Sequence, residues 1–301
     1  MKYRVLGRTG LKVSVVGVGA WQLGGEWGKA FTQAEVDAIL DRAAECGVNL
    51  VDTAECYGDH LSERLIGDYL SRRDRDRWIL ATKFGHAFGG FMRREDRFGA
   101  DDVRAQLIAS LRALRTDRID IYQFHSGPDG AFLDDGLRAA LEDARRSGMV
   151  RNLGVSIRSS GSEVQAREAF GRGYGVLQVV YNRLDARAES EVFPYARRHG
   201  LGVLARVPLA SGLLAGGHGA AAEFGPDDYR STLGPEEIAR RAREAEKIAE
   251  MELPLGVSAA RWALAWCLRD PVVTAVIPGA KSPEQAAENA SAADLLSDRM
   301  P

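Results

Sequence analysis

The sequence predicts a (β/α)8 barrel. Eight short apolar or β-branched runs occur along the chain, with helical patterns between them. Their spacing is roughly thirty residues, the size of one strand–helix unit with its return. Strands separated by helices imply a parallel sheet, and eight of them in 301 residues point to a closed barrel. A doubly wound open sheet is the competing arrangement. No Pro/Ser-rich linker or low-complexity tract interrupts the pattern, so residues 1–301 read as one domain.

The chain opens with a predicted hairpin, strands at 3–6 and 12–16 around a turn at Arg8-Thr9-Gly10. The eight repeating strands are expected at 14–19, 49–52, 78–82, 119–124, 150–156, 175–181, 201–207 and 272–277. Among the helices between them, 33–46 places Val36, Ile39, Leu40 and Ala43 on one face, with Thr32 as cap and Gly47 as stop. Segments 102–114, 132–146, 163–171 and 235–251 behave alike, the last with an arginine-rich solvated face. Two stretches break the rhythm. Segment 84–100, glycine-rich, follows the third strand, and 210–233, with Gly216-Gly217-His218-Gly219, follows the seventh. Long loops in a compact domain commonly serve function, and both leave the strand ends where barrel enzymes place their sites.

Composition narrows the class. A hydrophobic fraction of 45% supplies a core without disulfide or metal staples, and a net charge of -2 gives no reason to expect nucleic acid or an anionic membrane as partner. Three scattered cysteines, Cys46, Cys56 and Cys267, make neither a disulfide framework nor a zinc cluster. The N-terminus lacks the apolar run of a signal peptide, and no segment approaches the ~20 apolar residues that span a bilayer, so a cytoplasmic location is expected. A monomer is the expected state.

Ionisable residues stand where the strands end. Asp52 follows the second strand, with Tyr57 five residues on; Lys83 follows the third and His125 the fourth. Singly, each has a plain reading: a turn carboxylate, a solvated lysine, a packed aromatic, a satisfied imidazole. Adjacent strands bring them to one mouth, and there the set makes chemical sense. A free phenol, with a pKa of about 10, is a poor acid near neutrality. A neighbouring ammonium is expected to lower it, a carboxylate to hold that ammonium, and an imidazole to orient a carbonyl oxygen. Such a site protonates an oxygen while another group delivers hydride to carbon. No metal-ligand cluster or serine elbow competes for the role.

The stretches NLVDTAECYG (49–58), ILATKFG (79–85), IDIYQFH (119–125) and VIPGAKSPEQAAEN (276–289) resemble the aldo-keto reductase family, in order and over nearly the whole chain. The resemblance implies Tyr57 as general acid assisted by Lys83 and Asp52, His125 as the group that positions the carbonyl, and a barrel closed at its base by the N-terminal hairpin. It implies reduction of small aldehydes or ketones to alcohols.

Hydride calls for a nicotinamide, since no flavin signature stands out. Gly17-Val18-Gly19-Ala20-Trp21-Gln22 is not a Rossmann fingerprint, because the third glycine falls at Gln22. The loop Ile277-Pro278-Gly279-Ala280-Lys281-Ser282 opens a helix, whose N-terminal amides favour anions, and Lys281 suits the extra phosphate of NADPH. A plain helix start is the other reading of Lys281-Ser282. The family likeness implies further cofactor contacts: Gly19, Ala20, Trp21 and Asp52 near the nicotinamide; Ser156 and Gln178 on its carboxamide, with Asn182 closing that wall. It implies Val207, Pro208, Leu209, Ser211 and Gly212 around the pyrophosphate, Ile277, Gly279, Ala280 and Lys281 at the eighth strand, and Gln285, Glu288 and Asn289 at the adenosine. Many relatives stack an aromatic on the nicotinamide where this chain has Arg206, whose planar guanidinium can also stack.

Two rival readings remain. One is an NADPH-binding regulatory subunit with negligible turnover, and the other an aldolase or isomerase using Lys83 as a Schiff-base nucleophile. The substrate rim is expected from Trp21, segment 84–100, residues 126–129 and segment 210–233. Cys56 beside Tyr57 reads either as an oxidant-sensitive thiol or as a small buried filler.

Overall fold

The structure is a computed structural model that describes residues 1–158, 161–217, 219 and 221–296; His218 of the glycine-rich stretch lies outside them. The chain begins with an antiparallel hairpin, β1 (Tyr3–Val5) and β2 (Lys12–Ser14), turned by a 3₁₀ segment that Gly10 ends in the left-handed region at φ 73°. The repeating units follow. β3 (Val18–Gly19) leads to α1 (Gln33–Glu45), started by a capping box in which Thr32 and Glu35 satisfy each other's backbone amides. β4 (Leu50–Asp52) leads to α2 (Leu61–Leu70), and β5 (Ile79–Phe84) to a second hairpin, β6 (His86–Phe88) with β7 (Arg94–Asp96), before α3 (Ala100–Ala113). After β8 (Ile119–His125) come the short α4 (Asp129–Phe132) and α5 (Asp135–Arg146), which Asp134 caps by accepting from the Leu137 amide. β9 (Val150–Ser156) precedes α6 (Glu163–Glu168), and β10 (Val176–Val180) precedes α7 (Ala188–Glu191) and α8 (Phe193–His199). β11 (Gly202–Arg206) is followed by a long loop, α9 (Pro235–Glu252) and α10 (Ala259–Leu268), and β12 (Val273–Val276) by α11 (Pro283–Ser291).

Eight strands form one parallel sheet in the order β12-β11-β10-β9-β8-β5-β4-β3. Its two edges meet. Val16 and Gly19 bridge Val276 and Gly279 in parallel, and the Gly17 and Gly19 amides donate to Val276 O and Pro278 O at 2.8 and 2.9 Å. The sheet is therefore a closed (β/α)8 barrel, as the sequence predicts, and not a doubly wound open sheet. Gly19 is required at the seam, since a Cβ there would sit 2.5 Å from Ile277 O.

The eight predicted strands all form, with ends moved by a few residues. Helix 132–146 resolves into α4 and α5, because Asp134 caps a fresh start. Segment 84–100 is not an irregular loop: most of it is the β6–β7 hairpin.

Inside the barrel, side chains alternate in and out with a period of two. Leu50, Ala81, Ile121, Val176, Leu204 and Ala275 form one buried apolar layer, and Leu6 and Val13 of the N-terminal hairpin pack into the same cluster, plugging the barrel's base. Two residues on, toward the C-terminal ends, the inward positions become Asp52, Lys83, Gln123, Gln178, Arg206 and Ile277. That change of chemistry between consecutive layers puts a polar floor under the barrel's mouth.

Candidate active site

Lys83 is the centre of that floor, 0% exposed. Its Nζ donates to Asp52 Oδ2 at 2.6 Å, to Thr53 O at 2.8 Å and to the Tyr57 hydroxyl at 3.1 Å, so all three ammonium protons have an acceptor. Asp52, 3% exposed, uses its other oxygen to accept from Gln123 Nε2 at 2.8 Å and Gln178 Nε2 at 2.7 Å. A buried ion pair is tolerable only when its remaining lone pairs and protons are satisfied in this way. Strand register does the placing: Gly19 faces Asp52, Lys83 faces Gln123, and His125 faces Ser156.

Burial lowers an ammonium's pKa, but Asp52 and Tyr57 outweigh it and hold Lys83 above its ordinary value. The expectation that Lys83 lowers the Tyr57 pKa needs correction. Burial raises that phenol and Asp52 adds to the rise, so the opposing pull of Lys83 does not bring it below the usual value. Tyr57 therefore holds its proton at neutrality.

His125 stands edge-on to the Tyr57 ring, centroids 6.0 Å apart, with its Nδ1 3.6 Å from Cys56 Sγ. Burial, then the nearby Lys83, His86, Arg206 and Arg94, hold its pKa well below the ordinary imidazole value. A thiol donating to Nδ1 leaves the proton on Nε2, the tautomer that can donate to a carbonyl oxygen. Cys56 is 2% exposed, and burial pushes its thiol up to about 12. Of the two readings of Cys56, the geometry fits the buried filler.

A cavity of about 440 Å³ runs from this cluster along the strand ends. Asp52, Tyr57, Gly19, Ala20, Trp21, Gln178, Arg206, Val207, Pro208, Leu209, Ser211, Gly212, Ile277, Gly279, Lys281, Gln285, Glu288 and Asn289, all singled out from sequence, line it. Lys83, His125, Ser156 and Ala280 do not. Ser156 is buried behind the wall, donating to Gln178 Oε1 at 3.2 Å, and Ala280 contributes its carbonyl to Gln22 Nε2 at 2.9 Å. Asn182 is also withdrawn, donating to Val207 O at 3.0 Å. At the far end Ser282 caps α11 by accepting from the Gln285 amide, and Lys281 Nζ donates to Trp27 O at 2.9 Å.

Sequence reasoning missed Trp27 and Arg230, which line the cavity from two loops that meet. Trp27 bridges Asp228 in antiparallel fashion, the Tyr229 amide donates to Glu26 O at 2.9 Å, and Gly28 N donates to Asp227 O at 3.0 Å. Arg230 is held by both Asp228 oxygens, at 2.9 and 2.6 Å, with its guanidinium 5.3 Å from the Trp27 ring. Glu26, 2% exposed, ties the same loop to the β6–β7 hairpin, accepting from Arg94 Nη2 at 2.5 Å and the Met92 amide at 3.0 Å. It also accepts from Trp21 Nε1 at 2.9 Å, and Trp21 stacks against Tyr57. A glycine-bracketed Glu-Trp (Gly25 to Gly28) was the available signal.

A parallel barrel with its ionisable groups at the strand C-termini, beside a cavity, is the arrangement that barrel enzymes use. Comparison makes the class specific. Residues 15–300 match the model of the aldo/keto reductase family. The chain is 33% identical to the uncharacterized oxidoreductase YrpG of Bacillus subtilis, over 99% of this chain and 93% of the relative. It is 30% identical to a probable voltage-gated potassium channel subunit beta of Oryza sativa, over 98% of this chain and 92% of that one. Among solved structures, the holo form of aldo-keto reductase AKR11C1 from Bacillus halodurans superimposes with a TM-score of 0.81 at 30% identity, covering 98% of this chain and 91% of its own. The glycerol dehydrogenase AKR11B4 of Gluconobacter oxydans gives 0.78 at 28% identity, over 96% and 89%. The chain belongs to the aldo/keto reductase family, and its general role is that of an NAD(P)H-dependent carbonyl oxidoreductase. Among the described residues no helix is long and apolar enough to cross a membrane, and no cluster of His, Cys, Asp and Glu could hold a metal ion.

Proposed function

We propose that this protein reduces small aldehydes or ketones to alcohols with NADPH, using Tyr57, Lys83, Asp52 and His125. The observation that carries the reading is the buried Lys83 ammonium held between the Asp52 carboxylate and the Tyr57 hydroxyl, two residues that line the cavity.

The residues present fit a phosphorylated nicotinamide dinucleotide. The cavity joins the Tyr57 cluster to a cationic end, Lys281 and Arg230, and Gly19 leaves the seam open where a Cβ would meet backbone. A bound nicotinamide supplies the hydride. Tyr57 gives its proton to the carbonyl oxygen, and Lys83 stabilises the phenolate left behind. Asp52 fixes Lys83, and Gln123 and Gln178 fix Asp52. The neutral His125 donates to the carbonyl oxygen and sets its direction. Trp21, Trp27 and Tyr229, packed together with ring centroids 4.6 to 5.3 Å apart, form an apolar wall that keeps water away.

Lys281 favours NADPH over NADH, because it would put positive charge where the 2′-phosphate alone differs. The same reading takes residues 1–301 as one barrel domain, acting as a cytoplasmic monomer on a small-molecule carbonyl without nucleic acid or membrane partners. The purified protein should oxidise NADPH with a generic aromatic aldehyde, and Tyr57→Phe should remove most of that rate. Full activity in Tyr57→Phe sinks the assignment.

The relative named as a potassium channel subunit beta favours a second reading, a nucleotide-binding regulatory subunit. Tight NADPH binding with no turnover across a broad carbonyl panel would select it.

A further inference from the structure

Arg206 ends β11 and faces inward by the alternation that turns Leu204 into the barrel centre. It lines the cavity with Asp52, Tyr57 and Gln178. Its hydrogen bonding is incomplete. Among the described residues Nη2 donates to Ile157 O at 3.0 Å, while Nε is buried with no partner. Burial lowers its pKa, with Tyr57, Asp52 and Tyr229 pulling the other way, yet a guanidinium so placed stays charged. Asp52, the carboxylate on the same floor, is already engaged by Lys83 and two glutamines. The wall beside Tyr57 thus carries a positive charge that no ion pair among the described residues neutralises. Its field reaches His125, where Arg206 is one of the groups that disfavour the imidazolium.

A nicotinamide ring is neutral when reduced and cationic when oxidised. In the reading proposed above, hydride and proton go to neighbouring atoms of one carbonyl, so the ring lies at the Tyr57 end, within reach of Arg206. We infer that Arg206 makes this cavity select the reduced cofactor over the oxidised one, by charge repulsion against the oxidised ring. The phosphates, riboses and adenine are common to both forms, so their contacts cancel in the ratio of affinities. Two positive charges a few ångströms apart in partly desolvated surroundings repel enough for roughly tenfold to a hundredfold in that ratio. The overall reaction equilibrium is untouched. What changes is that the spent cofactor leaves readily and inhibits weakly.

The inference rests on the reductase reading, and equilibrium binding separates the two. NADPH affinity is measured by its fluorescence and NADP+ affinity by competition, for the wild type, Arg206→Met, Arg206→Gln and Arg206→Lys. The glutamine variant keeps a donor for Ile157 O should the methionine variant fold poorly. The wild type should prefer NADPH by about tenfold or more, the uncharged variants should lose most of that preference, and the lysine variant should keep it. A wild type that binds both forms equally overturns the inference while leaving the reductase reading intact. Uncharged variants that keep the wild-type ratio, or a lysine variant that loses it with them, overturn it as well. A wild type that binds neither nucleotide removes the reading of the cavity, and this inference falls with it.

Discussion

Replacing Lys83 by methionine tests how the site is held together. The ammonium is fully buried, and its loss leaves the Asp52 carboxylate with two glutamine donors but no cation. Breaking a buried pair from one side costs about 3–5 kcal/mol, because a charge is stranded. The two retained amide donors place the expected loss at the lower end, about 3 kcal/mol. In a chain of this size that is a fall in Tm of about 5 °C. Adding Asp52→Asn removes the stranded charge while keeping an oxygen for Gln123 and Gln178, so the double variant should recover most of the stability. Activity should not follow. Without an ammonium beside Tyr57, kcat should fall by roughly a hundredfold or more in both the single and the double variant. Thermal denaturation and steady-state kinetics on the three variants and the wild type separate the two effects. A Lys83→Met protein as stable as the wild type, or a double variant no more stable than the single, refutes the account of the buried pair. Activity restored along with stability refutes the catalytic role of the ammonium.

Lys281→Ala should weaken NADPH binding by roughly tenfold to a hundredfold while NADH changes little, read as the ratio of their KM values. An equal change in both would mean that Lys281 does not face the phosphate. Stability should depend on pH through His125, whose folded pKa is held well below its unfolded value of about 6.5. The unfolded chain then binds the proton first, so stability is lost as pH falls below about 6.5, by up to about 1.4 kcal/mol per unit for this group. His86 is shifted the same way and adds to the slope, so His125→Asn should flatten it in part, as followed by urea denaturation between pH 7 and 5. Cys56, buried with its thiol pushed up to about 12, should resist iodoacetamide at pH 8 while the half-exposed Cys46 reacts, as peptide mass spectrometry would show. Rapid alkylation of Cys56 would contradict the described packing.

The clustering of Asp52, Tyr57 and Lys83 was legible because strand geometry is periodic. In β4, β5, β8, β10 and β11 an apolar inward residue is followed two positions later by Asp52, Lys83, Gln123, Gln178 and Arg206, and a short strand read from sequence already fixes which side chains share a face. Segment 210–233 was legible as a contributing loop, but not which of its residues would reach the cavity or what they would pair with. Arg230 lies 24 residues beyond Arg206, and nothing local says that Asp228 will pair with Trp27 across the cavity. α2 is hidden for a related reason. Gly67 weakens its helical pattern, yet a Cβ there would run into the backbone of Ala113 and Leu114 at the end of α3, so the residue serves a tertiary contact. Glu26 is the clearest case of a missed group, since its three side-chain partners come from its own loop and a hairpin some seventy residues away.

The polar layer also joins the cavity wall at Gln178 to Tyr57, the proton donor proposed above, in one network. Gln178 lines the cavity and donates to Asp52 Oδ1; its Oε1 accepts from Ser156, and Nε2 reaches Gln123 Oε1 at 3.1 Å. Asp52 in turn fixes Lys83, and Lys83 fixes Tyr57. A substitution at Gln178 aimed at the cofactor therefore strips a donor from a buried carboxylate two contacts away from the acid. The apolar layer beneath limits how far such a change can relax, because Leu50, Ala81, Ile121 and Val176 are close-packed and fully buried. Ser156, hidden from the cavity, acts at the far end of the same chain: by occupying Oε1 it leaves the amide nitrogen of Gln178 free to face Asp52. Its effect on proton transfer would pass through that orientation and not through any contact with the reacting atoms.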